Sequence, residues 1–513
     1  MGRPQPNTGK EVASLNFSYN SATNTWEPVE NSSTAGQKVE LLNPLTAFGE
    51  MSVAINRAFI QAAPVNGLLP SNFRVYNSGT GSSAGVSGNE FSVSSGTTAG
   101  GYGAVQSFRA LNYKAGEAGL IRFTARFPLN AANSWQGAGG LNLGDELSFG
   151  YNGTNFGIWH RYHGKAEVRL LTISNGASGA ETATIFVNGT SYAVPLTSGT
   201  AAHNAKEIEA WFTTNVTTWT AWQNGSTVTF ASTSDGAKSN TFSFASTGTA
   251  DASWSTLMTG VAKTSDFYNQ DEWNQDTMPD LDPSKGNVYQ INYQYLGYGN
   301  IFFSIEDPDT GRFKLVHLIK IANQKTKTSL GNPSLRLGLY ATNITGTTNL
   351  DVYCGSFAAF IQGEESQTRN PRAAKNTKSV SSTTLTNILT IRNKRVLNGH
   401  INQTELTPYF LSIASEAAKT VSIEIYSNAT ISGSTNYANA ATNSIVEVDK
   451  SGTTVSGGIL LGALTVPPNG TLGIDLTPYR LRIPPTLTFT IAAYLNGGAA
   501  SDVSASLTWY EDN

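Results

Sequence analysis

Charge is scarce in this 513-residue chain: Asp, Glu, Lys and Arg together make up 13% of it, about half of the roughly 25% usual in soluble domains. The formal net charge is -3 and no long run of Lys or Arg occurs. No positive field awaits a phosphate backbone, so a nucleic-acid partner is not expected. Cysteine is scarcer still. Cys354 stands alone, which rules out an intrachain disulfide and leaves oligomerisation as the usual substitute source of durability. Long apolar runs are missing too. No stretch approaches the roughly 18 apolar residues of a membrane span, and the opening MGRPQPNTGKEV lacks the apolar core of a secretory signal. A chain made in the cytoplasm, with no membrane partner, is the expectation. Met1-Gly2 invites comparison with N-myristoylation, but Pro4 and Asn7-Thr8 fit that pattern poorly.

What replaces the charge is Ser, Thr, Asn and 50 Gly, interleaved with 9 Trp, 20 Tyr and 23 Phe. Aromatics spread along the whole chain supply the large burial units that a disordered polar sequence lacks. The reading is all-β: a multidomain β-sandwich or jelly roll of about three or four domains, with an inserted small β-rich domain carrying one short helix.

Residues 1–71 read as an N-terminal arm, with a helix over 47–63 where Met51, Ile55, Ala58, Phe59 and Ala62 recur at helical spacing. Residues 72–164 turn to short alternating runs such as Phe73-Arg74-Val75-Tyr76, separated by Gly/Ser clusters, the first half of a sandwich. Residues 165–263 read as an insert. Its Asn188-Gly189 closes a hairpin, a helix follows over 201–212 with Ala201, Ala205, Ile208 and Phe212 on one face, and a second hairpin turns at Asn224-Gly225, with Thr241-Phe242-Ser243-Phe244 continuing its sheet. Residues 264–363 resume the first pattern and complete the same sandwich. A charged, apolar-poor linker is expected over 364–378, where Pro371 argues against helix and central strand alike. A C-terminal sandwich fills 379–513.

Several clusters invite chemistry. Glu306, Asp307 and Asp309 place three carboxylates within four residues, enough for a glycosidase pair, yet Asp-Pro-Asp-Thr-Gly is also what a type I turn with a Gly bulge needs. Asp271, Glu272, Asp276, Asp280 and Asp282 could surround Ca²⁺, although their spacing matches no EF-hand; an exposed acidic loop is the plainer reading. His160 and His163, on a continuing strand, would point to opposite faces. No paired-cysteine or His-Glu-x-x-His pattern accompanies them, so neither zinc nor thiol chemistry at Cys354 has support. No Gly-x-Ser-x-Gly elbow or Gly-Lys-Ser/Thr phosphate loop occurs. Tyr289, Tyr293, Tyr295, Tyr298, Phe302 and Phe303 could stack sugars, but alternation makes them equally the core of a sandwich. Asn-x-Ser/Thr sequons begin at Asn16, Asn31, Asn152, Asn188, Asn215, Asn343, Asn402, Asn428 and Asn469, a number that chance explains in so Asn- and Thr-rich a chain. No catalytic, cofactor-binding or metal residue is therefore assigned.

Three stretches carry a resemblance: GDELSFGYNGTNFGIWHRYHGKAEVRLLTI from Gly144, VYQINYQYLGYGNIFFSIEDPDTGRFKLVHLIKIAN from Val288, and the C-terminal segment from Asn376-Thr377-Lys378 through Ile391-Arg392-Asn393-Lys394 to residues 504–512. They resemble structural proteins of tailed phages and large DNA viruses, the fibre, tail and decoration components, over roughly residues 72–513. The resemblance implies a virion location, partnership with other virion proteins and with copies of itself as a homotrimer, possible contact with a host-surface glycan, and no reaction. A glycan-degrading tailspike and a carbohydrate-binding cell-surface adhesin are the competing readings. The first would call for parallel β-helix repeats or paired carboxylates, the second for a secretion signal and an anchor.

Overall fold

The computed structural model describes residues 17–20, 25–28, 56–70, 72–363, 370–382, 384–433 and 435–511. The chain divides into two units, Met1–Ile55 and Asn56–Asn513. In the first, strands Phe17–Asn20 and Thr25–Pro28 pair antiparallel.

The second unit begins with a strand where a helix was expected. Where the helix expected over 47–63 is described, the chain is a strand, Arg57–Ala62, paired with Phe357–Gln362 at the rim of a six-stranded sheet. Short apolar stretches fit either period, and here strand pairing decides. Ile60 is buried in the core, while the Phe59 ring carries the Arg109 guanidinium 4.3 Å from its centroid. The first sandwich therefore starts before residue 72, and residues 47–55 lie outside the described residues.

That six-stranded sheet runs Phe313–Ile319, Ile301–Glu306, Asn287–Tyr293, Ala118–Ala125, Phe357–Gln362, Arg57–Ala62. It shares a core with a seven-stranded sheet ordered Thr264–Asn269, Asn155–Tyr162, Glu146–Asn152, Ser134–Leu141, Arg336–Asn343, Tyr102–Ala110, Phe73–Ser78. All these pairings are antiparallel, and both sheets draw strands from either side of residues 165–263. Alternation sends Tyr289, Ile291 and Tyr293 inward. Phe149 meets Tyr289 at 4.7 Å and Phe303 at 5.5 Å between ring centroids, close enough for aromatic pairing to add to burial.

Residues 165–263 form a four-stranded sheet (Trp219–Asn224, Thr227–Asp235, Ala166–Asn175, Asp251–Met258) and a three-stranded one (Thr190–Leu196, Glu181–Val187, Ser243–Ser246) around the helix Ala201–Asn215. Thr200 caps that helix, its side chain accepting the His203 N–H, and Ala205, Ile208 and Phe212 are buried. Asn188 and Gly189 both take positive φ, 51° and 83°, the conformation a two-residue hairpin requires. Ser243–Ser246 does not continue the sheet of Thr227–Asp235 as expected. It crosses to Glu181–Val187, because Phe244 pairs there with the buried Ile185.

The linker expected over 364–378 is also corrected. From residue 370 it is a strand, Asn370–Val380, paired along its length with Ser501–Glu511. Pro371 is tolerated because this strand is the edge of its sheet. The C-terminal sandwich thus starts earlier than residue 379. Its sheets run Asn370–Val380, Ser501–Glu511, Leu406–Ser415, Thr471–Asp475 and Tyr437–Asn439, Val446–Asp449, Thr386–Asn393, Thr488–Leu495, Val421–Ser427, Ile459–Val466. The two sandwiches are not held by a tether alone. Arg109 pairs with the buried Glu405 at 3.2 Å and the Arg74 guanidinium donates to Thr486 Oγ1 at 3.1 Å.

Candidate functional site

The sequence candidates resolve into structural roles. Asp307 and Asp309 shape a turn: the Asp307 N–H donates to Arg312 O at 2.9 Å, the Gly311 N–H to Asp307 O at 2.8 Å, and the Asp309 N–H to Asp307 Oδ1 at 2.9 Å, with Gly311 at φ 65°. Glu306 is the last residue of its strand. The acidic stretch is dispersed among separate partners. Glu272 accepts from the Asn269 N–H, Asp276 pairs with Lys314 at 2.5 Å, and Asp282 accepts from Ser284 and pairs with Lys285. Among the described residues no group of three or more His, Cys, Asp and Glu gathers as a metal cage would require. Tyr289 and Tyr293 are buried and Tyr298 is exposed; Tyr295 lies past the strand's end at Tyr293, yet it is half-buried and packs against the same core. Asn343 and Asn402 are buried, closed to a glycan, while Asn16 and Asn31 lie outside the described residues.

The histidines differ from expectation. The strand ends at Tyr162 and His163 has φ 65°, so alternation stops and both rings reach the same loop. His160 Nε2 donates to Ser329 O at 2.8 Å, and His163 Nε2 bonds Thr328 Oγ1 at 3.0 Å. Burial pushes His160 down to about 4.

A dense polar constellation lies elsewhere, between residues 165–263 and the C-terminal sandwich. On strand Thr386–Asn393 a bulge between Asn387 and Leu389 sets the phase: Leu389 and Ile391 enter the core and Arg392 leaves it on the opposite face. Arg392 sits opposite Glu447 in register, and its Nε donates to Glu447 Oε2 at 2.7 Å. The guanidinium lies between two rings, 4.0 Å from the Trp222 centroid and 3.8 Å from that of Tyr437. It also bonds the Gln223 carbonyl and approaches Glu209 Oε1 at 3.7 Å. Trp222 Nε1 and Asn224 Nδ2 donate to the two Glu447 oxygens at 3.0 and 2.6 Å. Burial raises the Glu209 carboxyl, with Arg392 opposing.

Two adjoining clefts open beside this pair. One of about 580 Å³ is lined by Lys394, Leu397, Asn398, Asn439 and Asn443 among others; one of about 320 Å³ adds Trp222, Asn224, Thr227 and Leu257. Their shared wall is a hairpin, Val396–Leu397 with His400–Ile401, whose Asn398 and Gly399 take φ 50° and 79°. A Cβ at Gly399 would stand 2.9 Å from Leu257 O, so the glycine permits the close approach of the two segments. Lys394 is not a free cation here. Its Nζ donates to Ser444 O at 2.7 Å, and burial lowers its ammonium. With Glu447 saturated and Lys394 engaged, the remaining wall is amide, hydroxyl and apolar. The Asn398-Gly399 signal was readable in the sequence; the bridging role of Arg392 was not, because it depends on a bulge and on segments far apart in the chain.

No family model matches the chain, and no curated protein matches it. Among solved structures it is similar to the VP2 subviral particle of infectious bursal disease virus, with 10% identity over 79% of this chain and 74% of that one at a TM-score of 0.15. It is also similar to the structures of the Gt and Gx strains of that virus, at 10% and 12% identity, each over 90% of this chain and 74% of that one at a TM-score of 0.14. An overlap of this extent does not define a shared fold.

Proposed function

We propose that the protein is a non-enzymatic structural component of a virus particle, a tail, fibre, baseplate or capsid-surface element that packs against copies of itself. The observation that carries the reading is the architecture: two antiparallel sandwiches joined by the Arg109–Glu405 pair, and a small β-rich insert whose Trp222, Gln223 and Asn224 bond Glu447 and Arg392 of the C-terminal sandwich, in a chain whose one cysteine is free and buried. Such a body has sheet edges to cover, and symmetric packing covers them while burying more surface. Three copies around an axis is the order that the resemblance to fibre and tail proteins implies. The turn geometry at Asp307 and Asp309 supports a structural role for those carboxylates. Light scattering of the purified chain is expected to give a multiple of the chain mass, three being the first order looked for, and labelling on intact particles should place it in the virion. A stable monomer at micromolar concentration would sink the reading.

A second, finer reading concerns attachment. Apart from Glu447, paired with Arg392, and the Lys394 ammonium bonded to Ser444 O, much of the cleft wall is uncharged, with the Asn398, Asn439 and Asn443 amides beside Leu397 and Trp222. Neutral sugars offer hydroxyls and apolar ring faces to such a surface. Binding to an array of neutral oligosaccharides is expected, with Asn439→Leu weakening it about tenfold, the worth of one hydrogen bond. An array on which the parent binds nothing removes this reading and leaves the structural one in place.

A further inference from the structure

Strand Ile459–Val466 ends the six-stranded sheet of the C-terminal sandwich, and among the described residues no strand pairs with its outer side. Its sequence, ILLGALTV, has no charge and no proline. Where the register shifts between Ile425 and Tyr426, Leu461 has no opposite residue in Val421–Ser427. Strict alternation would bury one of its neighbours, but Ile459, Leu460 and Leu461 are instead exposed at 51%, 51% and 39%. Sheet edges left open are ordinarily guarded by lysine, proline or shortness. Two other edges follow the rule: Asn370–Val380 carries Pro371, Arg372, Lys375 and Lys378, and Thr190–Leu196 carries Pro195.

We infer that strand Ile459–Val466 is an assembly contact, pairing antiparallel with the same strand of a second copy across a two-fold axis. The inference rests on the self-assembly proposed above and names one surface for it. The chemistry of the edge selects its occupant. Unpaired backbone N–H and C=O groups along a strand accept another strand, and a two-fold contact requires a self-complementary one. Pairing centred on Gly462 or Ala463 keeps the same face of the sheet covered in both copies and sets no charge opposite another. The same operation on Asn370–Val380, centred on Lys375, sets Lys375 against its own copy and Arg372 against Lys378, which is repulsive. The apolar edge is thus open to itself, and the charged edge is closed to itself.

Leu460→Lys and Leu461→Lys put a charge at exposed positions, where such changes leave stability within about 0.5 kcal/mol. Thermal unfolding like the parent's shows that each variant is folded. By light scattering over a wide concentration range, the parent is expected to reach an even-numbered assembly, two of the three-copy rings proposed above joined through this contact, and each variant to stop at about half its mass. Separately, Gly462→Cys or Ala463→Cys is expected to form a copy-to-copy disulfide under mild oxidation, with the buried Cys354 silent. Lysine variants that keep the parent mass, or a parent that stops at an odd-numbered ring without forming either disulfide, overturn the edge contact and leave self-assembly standing. A parent that is monomeric at every concentration overturns both.

Discussion

Arg392→Met is expected to destabilise the protein by about 3–5 kcal/mol, the usual cost of removing one partner of a buried ion pair. Arg392 is buried and Glu447 is 2% exposed, so the methionine leaves a carboxylate out of water with only the Trp222 and Asn224 donors. The flat guanidinium also fills the space between the Trp222 and Tyr437 rings, where each cation–π contact contributes roughly 0.5–2 kcal/mol. Arg392→Lys should recover little, because an ammonium cannot bond Glu447 and the Gln223 carbonyl in one plane. Pairing Arg392→Met with Glu447→Gln should recover much of the loss by neutralising the orphaned carboxylate. Urea titration of the two single variants and the double one gives the coupling directly. A loss under about 1 kcal/mol for the single variant would show that this junction does not hold the insert, and strict additivity in the double would show that Arg392 and Glu447 are not coupled. The same contacts bear on whether residues 165–263 can be excised: removal strips Trp222, Asn224 and Glu209 from Arg392 and Glu447, so the joined chain loses more than a self-contained module.

How much of this was legible depended on the range of the interaction that decides each element. The Asn188-Gly189 hairpin and the helix over 201–212 are set by neighbours in sequence, and the pattern there suffices. The alternation of Tyr289, Ile291 and Tyr293 likewise carried its own meaning. Arg57–Ala62 and Asn370–Val380 are strands because of partners about 300 and 130 residues away, and no local period announces them. Pro371 misled for the same reason, since proline is excluded from a central strand and allowed at an edge, and edge status is a property of the sheet. The junction around Arg392 is the extreme case, gathering Glu209, Trp222, Glu447 and Tyr437 from segments that share no motif.

Acid should weaken this protein between about pH 6.5 and 4, through His160 above all. The Ser329 carbonyl can only accept, so its bond at 2.8 Å fixes the neutral ring proton on Nε2. Nδ1 is buried without a hydrogen-bond partner, and a second proton would sit there with its charge unsolvated. Asp266 favours that charge, Lys325 and His163 oppose it, and burial outweighs them all, holding the group at about 4. In the unfolded chain the same histidine titrates near its ordinary value of about 6.5. Below that value the unfolded state takes up a proton the folded state refuses. The contribution is therefore fully present above about pH 6.5 and is lost progressively down to about pH 4, a total of about 3 kcal/mol. His317 acts in the same direction: it is also held at about 4, and its Nδ1 accepts the Asn274 N–H at 3.3 Å, a bond that protonation would break. Asp145, raised by burial, acts in the opposite direction where it takes up its own proton at the acid end. His160→Gln separates these terms, because its amide can still donate to Ser329 O and does not titrate. Denaturant titrations at stepped pH should show the parent losing stability through this window and the variant losing measurably less. Equal slopes for the two proteins would mean that His160 is not the group that feels the acid.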